Sequence, residues 1–109
     1  MEATVSPQDL IQLQSSAAEA SKLLKALANE DRLMLLCQIS RDEKCVSDLE
    51  QMTGIRQPTL SQQLTVLREQ GFVSTRRAGK QIFYTLTSNE AMEIIHVLYK
   101  LFCEQPRHD

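Results

Sequence analysis

Residues 55–71, IRQPTLSQQLTVLREQG, leave the backbone few options. Pro58 is pre-set for the first position of a helix, Gln57 before it can cap, and Gly71 is a ready stop. Between them Leu60, Leu64 and Leu67 recur at helical spacing and define one buried face. Thr59, Ser61, Gln62 and Gln63 crowd the first turns with short hydrogen-bonding side chains. A helix that meets base edges and phosphates in a DNA major groove needs that combination. An ordinary surface helix rich in Ser and Gln satisfies the same pattern, so the flanking segments decide.

Those flanks are specific. Ahead of the stretch, Ser47 is placed to cap a short helix over 48–52, closed by Thr53-Gly54. A short helix, a Gly-containing turn and a helix opening at Pro58 make a helix-turn-helix pattern. After Gly71 the period changes from helical to alternating. Phe72, Val73 and Thr75 lead into Arg76-Arg77, then Ala78-Gly79, then KQIFYTL over 80–86. Two β-rich runs joined at Ala78-Gly79 predict a hairpin, with Gly79 accepting the positive φ of its turn. Arg76, Arg77 and Lys80 put cations on both sides of the tip, as a DNA-contacting wing would. A plain hairpin with a solvated tip looks the same in isolation.

The outer segments predict helices. Ser6 caps, Pro7 sits first and Asp9 favours the positive end of a helix running to about residue 27. Leu10, Leu13, Ala17, Ala20, Leu24 and Leu27 lie along one side of it. Asn29 caps a second helix over 30–40, with Leu33, Leu36, Cys37 and Ile39 inward. Thr87-Ser88-Asn89-Glu90 reads as a capping box that starts a last helix to about residue 104, with Ala91, Ile94, Ile95, Leu98 and Phe102 in its stripe. The expectation is therefore a mainly α fold with a β-hairpin wing. It is one winged helix-turn-helix domain over 1–109, with five helices and two strands, and with 1–6 and 105–109 as fraying tails. The first and last helices carry more apolar surface than such a core needs, which predicts a homodimer packed through both of them. Its two copies of the 55–71 helix would face adjacent major-groove turns of an imperfect palindrome in double-stranded DNA.

Charge distribution supports a local polyanion contact. The chain carries a formal net charge of −2, yet residues 56–80 hold five basic groups (Arg56, Arg68, Arg76, Arg77, Lys80) against one acidic, Glu69. A basic stripe on an acidic body is a nucleic-acid footprint. No stretch is long and apolar enough for a membrane helix and no leader pattern opens the chain, which predicts a cytoplasmic protein without membrane contact. Three cysteines, none in a CxxC, exclude the common thioredoxin and zinc-ribbon patterns. Without paired acid and base groups or a phosphate loop, no enzyme and no cofactor is expected.

The order of elements and several motifs resemble the ArsR/SmtB family of winged-helix repressors. The motifs are LLKALANEDRLMLLC (23–37), QPTLSQQLTVLREQGFV (57–73) and RRAGKQIFYTL (76–86). Members are homodimers that block a promoter until an inducer loosens their hold on DNA. The resemblance implies DNA-facing roles for Gln57, Thr59, Ser61, Gln62 and Gln63, and for the wing residues Arg76, Arg77 and Lys80. Arg68 joins them as a cation on the same helix. At Gln63 many members carry His, which leaves the base preference open.

The family's metal sites fit poorly. Its Cys-Val-Cys thiolate pattern is Cys45-Val46-Ser47 here, so one ligand has become a hydroxyl, and Cys45 is expected to be a surface thiol. The zinc pattern of the last helix meets only His96, with Glu90 and Glu93 before it, and His108 lies in the tail. No metal site is expected. Cys37 and Cys103 resemble instead the pair of a dithiol subgroup, in which reactive sulfur species or oxidants link the two thiols and derepress sulfide-detoxification or related genes. Arg41, Lys100 and Arg107 lie one turn from one or other cysteine and favour thiolate, while a helix C-terminus near Cys103 opposes it. Buried free cysteines usually serve as small core hydrophobes, and that alternative stands beside the switch. Two further readings remain: a metal-responsive repressor using Cys45, and a winged-helix protein-interaction module that does not touch DNA.

Overall fold

The computed structural model describes residues 5–103. Its elements run α1 (Pro7–Ser15), α2 (Ala17–Ala28), α3 (Glu30–Arg41), β1 (Lys44–Cys45), α4 (Val46–Thr53), α5 (Thr59–Glu69), β2 (Val73–Ala78), β3 (Gln81–Leu86) and α6 (Asn89–Phe102). The mainly α, winged helix-turn-helix class holds, with two additions among the described residues: a sixth helix and a third strand.

The sixth helix arises because the expected first helix breaks at Ser16. Ser15 Oγ donates to the Gln12 carbonyl at 2.8 Å, and the Ser16 N–H is shared between the Gln12 and Leu13 carbonyls at 3.2 and 3.1 Å. Adjacent serines offer the backbone local alternatives to the helical ladder. Ser6 caps α1 as expected, exchanging bonds with Asp9 at 3.1 Å in each direction. Ser6 therefore belongs to the helix start rather than to a tail. Residues 1–4 and 104–109, including Arg107 and His108, lie outside the described residues.

The third strand, β1, pairs antiparallel with β3, Lys44 opposite Tyr84 and Cys45 opposite Phe83, giving the sheet order β1-β3-β2. Two residues are too few for alternation to show. Lys44 is buried, and its ammonium donates to the carbonyls of Gln38 and Asp42 and to the Asp42 carboxylate. The short fourth helix starts earlier than expected, at Val46, because Cys45 occupies the cap position and its N–H donates to the Asp48 carboxylate at 3.3 Å.

The core is aliphatic. Leu35, Leu36 and Ile39 of α3 meet Leu49 of α4 and Leu60, Leu64 and Leu67 of α5, closed by Phe72, Val73, Ala91 and Ile95. Gly71 ends α5 at φ +83°, with the Phe72 N–H returning to the Leu67 carbonyl at 2.9 Å, a reversal that favours glycine. In the wing, Ala78 pairs with Gln81, so the two-residue turn is Gly79-Lys80 rather than Ala78-Gly79, with Gly79 at φ +65°. The expected capping box at Thr87 does not form, because the Thr87 N–H is already donated to the Phe72 carbonyl at 2.9 Å. Ser88 caps α6 alone, accepting from the Ala91 N–H at 3.1 Å.

No residue of α1 is buried. Leu10, Ile11 and Leu13 of α1, Leu24 of α2, and Val97, Tyr99, Leu101 and Phe102 of α6 are all exposed. Isolated exposed leucines need no explanation, but three helices with apolar faces turned outward do. No helix among the described residues is long and apolar enough to cross a membrane.

The α3–α5 contact predicts one energetic outcome. Leu64→Ala removes a side chain that is 1% exposed and should destabilise the fold by about 2–5 kcal/mol. Denaturant unfolding at fixed protein concentration checks it; a loss below about 1 kcal/mol would mean that the site collapses around the smaller side chain.

Candidate nucleic-acid interface and dithiol

The turn between α4 and α5 is held from inside. Thr53 Oγ1 donates to the Leu49 carbonyl at 2.6 Å and accepts from the Ile55 N–H at 3.2 Å, and Gly54 turns the chain at φ +77°. Ile55 is buried in the core cluster, which anchors the turn ahead of α5. Gln57 does cap, from one position further out than expected. Its Oε1 accepts from the Ser61 N–H at 3.1 Å and from the Ser61 hydroxyl at 2.8 Å.

On α5, Ser61 and Gln62 are exposed and Thr59 is half-buried, so the first turns present a polar surface opposite the leucine face. Gln63 sits differently. It is half-buried, and its Oε1 accepts from Arg32 Nη1 of α3 at 3.0 Å. The same guanidinium donates to the carbonyls of Ala26 at 3.1 Å and Lys25 at 3.2 Å, at the end of α2. Arg68 is exposed in the last turn of α5, where its charge complements the helix dipole.

The wing cations divide into two kinds. Arg76 makes a bidentate pair with Glu43, Nε to Oε2 at 2.6 Å and Nη2 to Oε1 at 2.8 Å, and its guanidinium lies 4.8 Å over the Phe83 ring. Hydrogen bonding from Arg76 holds the Glu43 carboxyl below its ordinary range. Arg77 and Lys80 are exposed and form no salt bridge among the described residues. Arg56, exposed, lines a shallow cleft with Asp31, Met34, Gln57 and Thr59 beside the helix-turn-helix corner. Sequence reasoning counted Arg56 only as charge, and it missed Arg32 and Glu43 as partners of site residues.

The three thiols have different settings. Cys45 is buried, 5% exposed, with its sulfur 3.3 Å from the Ser47 hydroxyl. The surface thiol expected there is instead a strand residue facing Phe83 across the sheet. Cys37 is half-buried on α3 and Cys103 is exposed at the end of α6. Burial pushes the Cys37 thiol up, and the nearby charge of Cys103 pushes it further the same way. Two cysteines remote in sequence thus stand within Coulombic reach. Among the described residues no three His, Cys, Asp or Glu side chains gather closely enough to hold a metal ion.

Residues 29–75 match the family described as bacterial regulatory protein, arsR family. The chain is 50% identical over 95 residues to the biofilm growth-associated repressor of Xylella fastidiosa, an alignment covering 87% of this chain and 83% of that protein. The crystal structure of the transcriptional repressor BigR from Xylella fastidiosa superposes with a TM-score of 0.82 at 51% identity, covering 86% of this chain and 96% of that one. Reduced HlyU from Vibrio cholerae gives 0.80 at 40% identity, covering 84% and 97%.

The thiol settings predict an order of reactivity. With iodoacetamide near neutral pH, Cys103 should alkylate first, Cys37 more slowly and Cys45 last. Because its pKa is raised, the Cys37 rate should keep climbing as pH passes the ordinary value of 9.0, and Cys103→Ser should move that rise to lower pH. Peptide mass spectrometry over time reads all three; Cys37 reacting ahead of Cys103 would contradict the burial seen here.

Proposed function

Because this chain belongs to the ArsR family of bacterial transcriptional regulators, and is not an enzyme, we propose that it is a dimeric repressor switched by its own dithiol. The reading is that reduced protein occupies its operator, and that a Cys37–Cys103 crosslink releases it and derepresses sulfide-detoxification or related genes. Each chain acts as one DNA-binding unit. The exposed apolar faces of α1, α2 and α6 supply the two-fold interface, and family members are typically dimers that bind operator DNA.

In this reading Gln57, Thr59, Ser61 and Gln62 meet base edges and phosphates of an imperfect palindrome. Gln63 contributes from the flank of the same helix, and Arg68 from its last turn. Arg77 and Lys80 hold phosphates at the wing, with Arg76 behind them. Glutamine can pair with adenine and arginine with guanine, while wing cations give position rather than sequence.

The observation that carries the switch is the placement of the two thiols, one half-buried on α3 and one exposed on α6, within each other's field. The V. cholerae regulator of the same architecture has been solved in a form named reduced. The chemistry balances with one persulfide as oxidant. The Cys103 thiolate attacks the outer sulfur of RSSH and expels RSH, leaving a Cys103 persulfide. The Cys37 thiolate then attacks the Cys103 sulfur and expels hydrogen sulfide, forming the disulfide. Two thiols are oxidised by two electrons, and the sulfane sulfur is reduced. If both cysteines are first persulfidated, loss of one hydrogen sulfide leaves a trisulfide, which spans a longer gap than a disulfide can. Hydrogen peroxide gives the disulfide through a sulfenic acid, with two waters released.

Two measurements test this. Glutathione persulfide should weaken operator binding of the wild type by about five- to 150-fold, the usual span of an allosteric coupling. Cys37→Ser and Cys103→Ser should bind when reduced and stay bound after treatment; release by either variant would exclude the dithiol. In gel shifts over a salt series, Lys80→Ala should flatten the log affinity–log salt slope by roughly 2, one phosphate contact per wing in the dimer. An unchanged slope would remove Lys80 from the interface.

A further inference from the structure

We propose that α3 is the element that carries the state of Cys37 to the DNA-facing parts, and that Arg32 and Glu43 are the positioning residues at its two ends. This rests on the dithiol reading above and names how the crosslink reaches the DNA surface. Cys37 lies mid-way along α3. One end of the helix holds α5 through one arm of a guanidinium fork, and the segment that follows the other end holds the wing through a bidentate guanidinium pair.

At the first end, Arg32 is fixed twice. Its backbone N–H donates to the Asn29 cap at 3.0 Å, and its side chain donates to two carbonyls at the end of α2. The remaining arm of the fork reaches Gln63 Oε1 at 3.0 Å. A planar guanidinium with several donors engaged cannot turn to follow one partner without losing the others. A displacement of α3 is therefore passed to Gln63, and through it to the first turns of α5.

At the second end, the chain after α3 is pinned back onto it. The buried Lys44 ammonium donates to the Gln38 carbonyl of α3 at 3.1 Å and to Asp42. Between those anchors Glu43 presents its carboxylate to Arg76 in the bidentate pair, and Arg76 packs over Phe83 of the opposite strand. An exposed pair of this kind adds little stability. It does fix direction, because two parallel hydrogen bonds define the plane of both groups.

The shaft between the ends is rigid. Leu35 and Leu36 are fully buried and Ile39 is 2% exposed. Close-packed cores pass on displacement rather than absorb it. Drawing Cys37 toward Cys103 shifts the shaft, and both ends move with it.

The test compares operator affinity of reduced protein with that of protein crosslinked by glutathione persulfide, for wild type, Arg32→Lys, Glu43→Gln and the double variant. Intact mass verifies the crosslink in each. The readout is the ratio of the two affinities, because a merely structural role weakens both forms alike and leaves the ratio unchanged. Each single variant should lower it by about threefold or more, a usual effect for residues along a coupling route. The double variant should bring it close to one. A wild-type ratio kept by one single variant removes that residue from the role, and one kept by the double variant overturns the proposal. Should Arg32→Lys not fold, the 15N signals of Arg32 Nε and the Gln63 side-chain amide in wild type read the same link. Displacement on crosslinking is expected, and coincident signals overturn it. A wild type that crosslinks yet keeps its operator affinity overturns the functional reading, and this inference falls with it.

Discussion

The leucine layer between α3 and α5 is what everything else in this molecule leans on. Leu35, Leu36 and Ile39 from one helix and Leu60, Leu64 and Leu67 from the other are all nearly or wholly buried. The polar first turns of α5 can face outward only because its opposite side is committed there. The wing, too, depends on it: Phe72 and Val73, at the start of the hairpin, are the next members of the same cluster. A core of this kind is aliphatic and closely packed, so apolar contact chiefly orients its helices. Among the described side chains, no buried nitrogen or oxygen lacks a hydrogen-bond partner.

Sequence foresaw those parts whose cause is local. Pro58, Gly71 and Gly79 each impose a backbone conformation at their own position, and the structure starts α5, ends it and turns the wing within two residues of where they stand. It foresaw less where the deciding partner is remote. The break at Ser16 depends on which of two adjacent hydroxyls takes a helical carbonyl, a choice that periodicity does not register. β1 is two residues long and exists only because β3 returns beside it. Cys45 is expected as a surface thiol because the second cysteine of its motif has become Ser47, yet the strand pairing buries it. Arg32 with Gln63 and Glu43 with Arg76 join residues some thirty positions apart, and nothing in a linear pattern selects those partners over others.

Remote pairing also changes how the charge of the chain should be weighed. Counted along the sequence, residues 56–80 carry a surplus of cations, and Arg76 is one of them. In the fold that charge is compensated by Glu43, which sequence counting assigned to the acidic body. Arg56, Arg68, Arg77 and Lys80 have no salt bridge among the described residues, and in the proposed DNA contact phosphate attraction would fall chiefly to them. Arg76 orients the wing on which Arg77 and Lys80 ride. The uncompensated basic charge is thus smaller than a count along the sequence implies.

The two thiols differ in the way the proposed switch would require, since a sensor must react readily with its signal and slowly with everything else. In the proposed switch the exposed Cys103 meets small sulfur species first, and Cys37 is offered only an intramolecular attack. Its raised pKa leaves little thiolate at neutral pH, which protects it from solution electrophiles. Proximity offsets that scarcity once Cys103 carries a leaving sulfur, because the second step needs no encounter. The same features slow the reverse reaction. A solution thiol that attacks the Cys103 sulfur must expel Cys37, whose raised pKa makes it a poor leaving group, and attack at Cys37 itself is hindered by its burial. In the proposed switch, burial of one partner would make the crosslink slow to form by accident and slow to undo, so that a released regulator would stay released until the reducing capacity of its surroundings had recovered.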